Sequence, residues 1–314
     1  MKRIMGLLMV LLFALALSGC NEDPENVQLK IMIPLGSPAL SQTYMEYTHP
    51  NIGDNVSYEI EVVSGTDPLV AAFGSGTHDI IYAPTNLGAK LYKTGVKYKF
   101  AATVVTGNLY LATGTDQEFD LDSLDGKELV VFGQNATPDI ILQTILADQD
   151  YDTPPTITYV DSVGTANATL VADPTKIVLL AEPVLSVADL NIENLQTINL
   201  QEAWRDLTSS ESYPQAGIFI KDGTDKDTVE AYLREVELSI EEALANPSDV
   251  ATMASELEYG FPVPVLTSAI MRSGLEFFTA NDSKAALIDY FGYIIELNPA
   301  LIGDTYPDSG FYYN

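Results

Sequence analysis

The residue types that most often act as nucleophiles, proton carriers or metal ligands are scarce in this sequence. It contains one cysteine, Cys20, and two histidines, His49 and His78, which have no second ligand at a zinc-site spacing. The segment FGSGTHD (73–79) does not match the nucleophile motif G-x-S-x-G, and neither G-x-G-x-x-G nor G-x-x-x-x-G-K-[ST] occurs. The sequence therefore predicts no catalytic site, no cofactor and no metal.

The acidic segment DLDSLDG (120–126) is similar to a calcium-binding loop. Its acids are one residue out of register for D-x-D-x-D-G, and no glutamate stands at the closing position. We expect a solvated turn before a strand.

Polar residues precede proline at three places where an apolar run has just ended. Ser37-Pro38, Asp67-Pro68 and Thr137-Pro138 each put a capping side chain before a proline at the first helical position. In an open parallel sheet such turns lie at the carboxyl edge, where free backbone N–H groups can meet a ligand. The three pairs predict a ligand-binding edge, although a capped helix without a ligand is the alternative at each single position.

The segments that would position these residues alternate between short β-branched runs and amphipathic stretches. The first series is LKIMI (29–33), SPALSQTYMEYT (37–48), YEIEVV (58–63), DPLVAAFGSG (67–76), DIIYA (79–83), NLGAKLYKTG (86–95) and KYKFAATVV (97–105). This alternation predicts an α/β unit with a largely parallel sheet.

A second alternating series follows the acidic turn. It is ELVVFG, PDIILQTILADQ, TITYV, a short helix near 164–172, KIVLLAE, PVLSVADL and LQTINL. Beyond Pro214, QAGIFIKDG predicts one more strand, and residues 226–298 are mainly helical with breaks near 246–249 and 261–265. We therefore expect two α/β lobes and a helical C-terminal segment.

Composition excludes several classes of protein. Hydrophobic residues make up 46 % of the chain, which excludes intrinsic disorder. The formal net charge of −29 becomes −31 without Lys2 and Arg3, and this disfavours nucleic acid and anionic membrane surfaces as partners. Solubility outside the cell accounts for such a charge.

The first twenty residues have the pattern of an export signal. Lys2 and Arg3 precede the apolar run GLLMVLLFALAL, which is short for a membrane span of about 20 residues. The sequence Leu-Ser-Gly-Cys that ends at Cys20 resembles the lipobox of bacterial lipoproteins, which implies a lipid anchor on this thiol. An ordinary signal peptide with a fortuitous cysteine is the alternative.

Five segments stand in a fixed order along the remaining chain. They are PLGSPAL, DPLVAAFGSGTHDIIYAPTNLGAKLY, LDGKELVVFGQNATPDIILQTIL, LLAEPVLSVA and NPALIGDTYPDSGFYY. In this order and spacing they resemble the nitrate/sulfonate/taurine and thiamine-precursor (NMT1/THI5-like) solute-binding proteins of ABC importers. The resemblance covers nearly all of the mature chain.

The resemblance implies an α/β fold of the type II periplasmic-binding class, with two lobes, a hinge and a helical C-terminal segment. Its parts would be a signal peptide (1–19), a lipidated tether (20–28), lobe 1 (29–108 plus 215–314) and lobe 2 (109–214). Two strands that cross between the lobes would form the hinge.

The resemblance also implies which residues face the cleft between the lobes. They are Gly36, Ser37, Thr85, Asn86, Thr106, Gly107, Asn108, Gln134, Asn135, Ala136, Thr137, Glu182, Tyr213 and Gln215.

The charges on these loops bear on the ligand. None of the matched loops carries Lys or Arg, whereas one carries Glu182, and a buried carboxylate would repel an anion. This favours a neutral or amine-bearing organic solute, such as a heteroaromatic thiamine precursor, stacked on a tyrosine; the candidates are Tyr44, Tyr82 and Tyr110. Two alternatives stay open: a nitrate-, sulfonate- or taurine-like anion held by N–H groups, and a Glu182 that caps a helix or pairs with Arg272.

By resemblance, the chain is expected to be the extracytoplasmic solute-binding component of an ABC importer. It would capture a small polar solute by hinge closure and deliver it to a permease with its ATPase, acting as a monomer. It would be anchored through Cys20 to the outer face of the cell membrane, or lie in the periplasm. An extracytoplasmic enzyme and a ligand sensor on the same scaffold are the alternatives.

Overall fold

The computed structural model describes residues 27–208, 210 and 212–314, which form two mixed β-sheets flanked by helices. The predicted signal peptide, Cys20 and most of the tether lie outside the described residues. None of the helices that the structure describes is both long and apolar enough to cross a membrane.

The strands and helices are numbered in chain order. The strands are β1 (Val27–Pro34), β2 (Val56–Val63), β3 (Ile80–Pro84), β4 (Tyr98–Val105), β5 (Leu109–Thr113), β6 (Glu128–Phe132), β7 (Thr156–Val160), β8 (Ile177–Ala181), β9 (Gln196–Asn199), β10 (Ala216–Lys221) and β11 (Leu275–Thr279). The helices are α1 (Ser37–Leu40), α2 (Thr43–Thr48), α3 (Asp67–Ser75), α4 (Thr85–Lys93), α5 (Thr137–Ala147), α6 (Val163–Ala172), α7 (Val184–Asn191), α8 (Leu200–Thr208), α9 (Lys226–Ala245), α10 (Pro247–Glu256), α11 (Val263–Arg272) and α12 (Ala280–Leu297).

The two sheets repeat one strand arrangement. The six-stranded sheet has the order β11-β4-β10-β3-β1-β2, with β1 parallel to both neighbours and β10 antiparallel between β3 and β4. The five-stranded sheet has the order β7-β6-β8-β5-β9, with β6 parallel to both neighbours and β5 antiparallel between β8 and β9. In each sheet the parallel strands therefore end at one common edge.

The chain passes twice between the sheets. The first crossover joins β4 to β5 through Thr106–Asn108, and the second joins α8 to β10. We call the elements packed on the larger sheet the six-stranded lobe, and those between Leu109 and Thr208 the five-stranded lobe. This architecture confirms the predicted fold class.

Both faces of the central strands are covered. In β1, Ile31 and Ile33 pack into one apolar cluster while Met32 packs into another on the opposite face. Strands buried on both faces appear in sequence as continuous apolar runs, as LKIMI and DIIYA do. Each fully buried Ile contributes about 1.5–3 kcal/mol relative to an exposed one, so these runs anchor the edge that carries the loops.

The structure corrects three details of the sequence prediction. The strands β5 and β11 and the helix α8 were not predicted, and the single helix expected over residues 37–48 is divided into α1 and α2. The predicted caps were also wrong, because Ser37, Asp67 and Thr137 are the first helical residues and none caps its helix. For Ser37 and Thr137 the reason is that their hydroxyls bond to other elements.

Candidate ligand-binding cleft

A cleft of about 530 Å³ lies where the two lobes meet. Its walls come from the loops that follow β1, β2 and β3 in the six-stranded lobe and β6, β7 and β8 in the five-stranded lobe. This is the edge at which parallel strands end, and the repeated strand order brings two such edges together. Its volume is in the range of pockets that hold small organic ligands.

Seven of the fourteen residues predicted to face the cleft line it. They are Gly36, Ser37, Asn108, Ala136, Thr137, Glu182 and Gln215. They come from both lobes and from both crossovers.

The structure places the other seven elsewhere, which corrects the sequence prediction. Thr85 and Asn86 are buried behind the wall, Thr106 and Gly107 line a separate cavity, and Tyr213 is enclosed in the core. Gln134 and Asn135 are exposed between the lining residues Gly133 and Ala136 but do not line the cleft themselves. The hydroxyl of Tyr213 donates to Gln201 Oε1 at 2.8 Å, so this group is satisfied inside the protein.

A cluster of neutral polar groups connects the six-stranded lobe to both crossovers on one side of the cleft. Asn108 Nδ2 donates to Ser37 Oγ at 2.7 Å, and Gln215 Nε2 donates to Asn108 Oδ1 at 2.7 Å. Ser37 Oγ in turn donates to Ser273 Oγ at 2.9 Å. Each of these oxygens still has a lone pair for a further partner, so this polar cluster (Ser37, Asn108 and Gln215) can bond to a ligand without being dismantled.

A polar contact between the two lobes is centred on Thr137. Its Oγ1 donates to Asn86 Oδ1 at 3.1 Å and accepts from the Tyr290 hydroxyl at 3.3 Å. Asn86 and Tyr290 belong to the six-stranded lobe, whereas Thr137 begins α5 of the five-stranded lobe. Asn86 therefore supports a cleft residue instead of facing a ligand itself.

Glu182 lines the cleft, but its carboxylate is used within the protein. Its oxygens accept from Ser186 N at 3.2 Å and Ser186 Oγ at 3.0 Å, which caps α7, and Arg272 Nη1 lies 4.0 Å from Oε1. Burial raises the pKa of Glu182, and the bonds from Ser186 and the charge of Arg272 oppose that rise. Glu182 therefore caps α7 through Ser186 and also lies next to Arg272, so the two alternatives to an amine-binding role both match its contacts.

Arg272 also ties the two lobes together. It is the last residue of α11, and its Nη2 donates to Asp189 Oδ2 on α7 at 2.9 Å. Its backbone oxygen accepts from the Tyr110 hydroxyl at 3.0 Å. The C-terminal end of α11 therefore holds β5 and α7 of the five-stranded lobe.

The first turn of α5 is a helix start at the cleft without a side-chain cap, as are those of α1 and α3. Its N-cap position is Ala136, which has no side chain to accept the first N–H groups. In contrast, Ser162 accepts from Thr165 N at the start of α6. The N-terminus of α5 can therefore offer backbone donors to a polar ligand atom.

The aromatic surface of the cleft differs from the prediction. Tyr82 is fully buried with its hydroxyl 2.8 Å from that of Tyr232, Tyr44 packs against the core of the six-stranded lobe, and Tyr110 faces the rear cavity. The aromatic rings that line the cleft are instead Phe132, at the end of β6, and Phe261, before α11.

Several other lining residues were not predicted. They are Ser64, Gly65, Thr66 and Leu69 around the start of α3, and Asp161 and Val163 around the start of α6. These residues follow the strands predicted at YEIEVV and TITYV, so they could have been predicted from the rule that ligands bind where parallel strands end. Phe261 gave no such signal, because it lies between two helices.

A rear cavity of about 420 Å³ lies on the other side of the first crossover. Its lining includes Thr106, Gly107, Tyr110, Arg205 and Arg272.

Solved structures confirm the fold. An ABC transporter from Parabacteroides distasonis has 24 % identity and a TM-score of 0.82, with 92 % of this chain and 99 % of that chain covered. The ligand-binding component of an ABC-type import system from Staphylococcus aureus, with zinc bound, has 12 % identity and a TM-score of 0.69, covering 92 % and 96 %. The periplasmic aliphatic sulphonate binding protein from Escherichia coli has 13 % identity and a TM-score of 0.68, covering 89 % and 91 %.

The sequence comparisons give a further result. The search of curated proteins found no match to this chain. Residues 105–264 match the model of a family described as menaquinone biosynthesis, VitK2_biosynth. This segment contains the first crossover, the five-stranded lobe, the second crossover and the helices α9 and α10. Because the match covers half of the sequence, the chain belongs to the menaquinone biosynthesis family.

Proposed function

We propose that this protein captures a small organic solute in the cleft and delivers it to the permease of an ABC importer. The observation that supports this most directly is that one cleft is built from the strand ends of both lobes, which are joined by two crossovers. A solute in that position contacts both lobes only when they are close together. Its binding therefore favours the closed arrangement, which a permease can distinguish from the open one.

The chemistry of the lining supports binding over catalysis. Among the described residues that line the cleft there is no His, Cys, Lys or Arg, and the carboxylates are those of Glu182 and Asp161. Glu182 is occupied by Ser186 and Arg272, and Asp161 is exposed at the rim. The lining hydroxyls, such as those of Ser37 and Thr137, have no His or Lys among the described lining residues to activate them as nucleophiles.

The solved structures named above include components of import systems, which is consistent with the proposal. In this scheme the chain is exported with residues 1–19 as a signal peptide, is anchored by a lipid on Cys20, and works as a monomer with a permease and its ATPase. Lobe 1 (29–108 plus 215–314) would move against lobe 2 (109–214).

A second candidate function is catalysis, and the specific observation in its favour is the description of the family. A catalytic member would convert the compound that it binds, whereas a transport component would release it unchanged. Incubating the protein with its co-purified compound and following that compound by mass spectrometry distinguishes the two.

The proposed closure can be measured by the distance between two spin labels. In a Cys20→Ser background, labels are placed through Val70→Cys on α3 and Val171→Cys on α6; both positions are exposed, and they lie in different lobes. We expect the distance distribution to shorten and narrow when the solute is added.

The control pair is Val171→Cys with Leu190→Cys, because both positions lie in the five-stranded lobe and both are exposed. Its distance should not change. A solute that binds without altering the Val70–Val171 distance would contradict the closure mechanism.

A further inference from the structure

We propose that the cleft takes an uncharged, ring-containing solute with one hydrogen-bonding end, and that Phe132 and Phe261 hold its ring. This rests on the proposed function, because it specifies the class of solute for the same cleft. It also replaces the amine interaction that the sequence suggested for Glu182.

No side chain that lines the cleft is placed to neutralise an ionised ligand. The side chain of Glu182 has an exposed fraction of 0 %, so a ligand amine cannot reach its oxygens. Asp161 is exposed at the rim, where water screens its charge. The described lining residues include neither Lys nor Arg for an anion. A cation bound here would lose its hydration without gaining a counter-charge, and an anion would gain only backbone N–H groups such as those at the start of α5.

The long-range field adds to this argument against anions. The chain has a formal net charge of −29, and Arg272, which contacts the wall at Glu182, is itself paired with Asp189 at 2.9 Å. A negatively charged solute would therefore approach a protein whose net charge has the same sign. The aliphatic sulphonate binding protein shares the fold, but the charges of this cleft are unsuited to such an anion.

The polar cluster of Ser37, Asn108 and Gln215 can bind an uncharged polar group of a ligand. All three side chains are neutral, and they already bond to one another. They can therefore offer a remaining lone pair or N–H to one polar end of a ligand, such as a carbonyl, amide or hydroxyl group. Hydrogen bonds of this kind stabilise a neutral group without a charge to desolvate.

The rest of the cleft lining is largely apolar and includes two aromatic rings. Phe132 belongs to the five-stranded lobe and Phe261 to the six-stranded lobe, and both rings are half-buried at the cleft. Other lining residues beside them are apolar, including Leu35, Val163 and Val184. A ligand ring between one aromatic side chain from each lobe gains stacking or edge contacts from both. Because the two rings belong to different lobes, a ligand ring contacts both of them only when the lobes are closed.

The test uses the full-length protein and begins with the compound that co-purifies with it. That compound is released by denaturation and identified by mass spectrometry. In parallel, thermal shift measures a panel of ring compounds in sets matched for shape but not charge, for example naphthalene-2-carboxamide, 2-naphthoate and 2-naphthylmethylamine. We expect an uncharged ring compound to be released, or the stabilising members of the panel to be the uncharged ones.

The outcomes separate this inference from the proposed function. A released sulfonate, carboxylate or amine, or panel members that stabilise only when charged, would overturn the inference while supporting solute binding. If no compound is released and no member of the panel binds, the inference fails together with the proposed function.

Substitutions test the role of the two rings with whichever compound binds. Phe132→Ala and Phe261→Ala should each weaken binding at least tenfold, and Phe132→Leu and Phe261→Leu should also weaken it, because leucine preserves apolar area but not the ring. The matched control is Phe278→Ala, an exposed phenylalanine outside the cleft, which should bind as the unchanged protein does. Circular dichroism checks that each variant is folded. Full affinity in both leucine variants would refute the ring-specific role.

Discussion

The two lobes have the same strand order, yet only one of them extends beyond its sheet to hold the other. In both sheets an antiparallel strand that follows a crossover lies between two strands of the parallel set. The six-stranded lobe then adds α9 to α12 and β11, whereas the five-stranded lobe adds only α8. The turn between α11 and β11 contacts the first crossover, and Arg272 reaches α7.

The shared strand order and the added turn have separate roles, ligand binding and attachment of the lobes. The shared topology explains where a ligand can bind, because it brings two sets of strand ends together. The added turn, residues 272–274, explains how the lobes are held, because it bonds to the crossover through Thr106 and to the polar cluster through Ser273. Changes in this turn should therefore affect stability and lobe coupling more than equivalent changes elsewhere.

The largest effect is expected from Gly274→Ala. Gly274 has φ of +55°, and a Cβ there would lie 2.4 Å from the Gly107 carbonyl oxygen in the first crossover. The left-handed backbone costs a non-glycine residue about 1–2 kcal/mol, and the clash adds a similar amount. We expect the free energy of unfolding to fall by about 3 kcal/mol, as measured by urea denaturation.

The matched control is Gly223→Ala, because Gly223 also has a positive φ, +92°, but no atom within 4 Å of the added Cβ. It should lose only the contribution of the left-handed backbone to the free energy of unfolding, about 1–2 kcal/mol. Equal losses in the two variants would show that the turn does not press on the crossover.

A smaller loss is expected from Arg272→Met. This change removes the partner of Asp189 and leaves the Glu182 carboxylate buried without its nearby cation. Breaking a buried pair costs about 3–5 kcal/mol, but Arg272 is 38 % exposed, so about 2 kcal/mol is expected in urea denaturation. Asp189→Asn removes only the exposed partner and should cost less than about 0.5 kcal/mol. If Asp189→Asn lowered the free energy of unfolding more than Arg272→Met, Arg272 would not be stabilising the buried carboxylate of Glu182.

Thr137→Val tests the contact made from the five-stranded lobe. It keeps the shape of the side chain but leaves Asn86 Oδ1 and the Tyr290 hydroxyl without that partner. The expected loss in the free energy of unfolding is about 1 kcal/mol, at the low end for unsatisfied buried groups because Asn86 lies next to the cleft. In the same helix, Thr144→Val removes only a bond to the Ile140 backbone and should be nearly neutral. A Thr137→Val protein as stable as the Thr144→Val protein would rule out a contribution from this contact.

The sequence could predict most of the elements, and seven of its fourteen candidate residues line the cleft, because both depend on local pattern. The runs before Ser37 and Thr137 are buried on both faces and are followed by proline, so strand ends were visible without a structure. Strand β5 was missed because TGNLYLAT continues the apolar run of β4 with only Thr106–Asn108 between them.

Tertiary contacts explain what the sequence could not predict. The hydroxyl of Ser37 is drawn away from its helix by Asn108 and Ser273, which are 71 and 236 positions away in the chain. Phe261 reaches the cleft from a loop between helices, where no strand end marks it. Tyr82 resembled a ligand-stacking residue in sequence, but the inward face of β3 buries it.

The smallest expected effect concerns the pKa values of two carboxyl groups in the five-stranded lobe, Glu182 and Glu128. Glu182 is influenced by Arg272 of the six-stranded lobe, whereas Glu128 is paired with Lys176 of its own lobe at 3.0 Å. Burial raises the pKa of Glu182, and the hydrogen bond from Lys176 lowers the pKa of Glu128. A carboxyl whose pKa is raised by folding binds its proton more tightly in the folded state, so its contribution to stability falls as pH rises from 4.5 through the raised value. A carboxyl whose pKa is lowered loses its contribution as pH falls through the lowered value.

These opposite signs give a measurable contrast. Urea midpoints across pH 3 to 8 should show the unchanged protein losing stability relative to Glu182→Gln as pH rises, but losing stability relative to Glu128→Gln as pH falls. Arg272→Met should steepen the first dependence, because it removes a charge that lowers the pKa of Glu182, and should leave the second unaltered. If Arg272→Met changed the pH dependences measured against Glu182→Gln and Glu128→Gln equally, Arg272 would act only through its long-range charge. Its direct contact with Glu182 would then not explain why the two carboxyl groups differ.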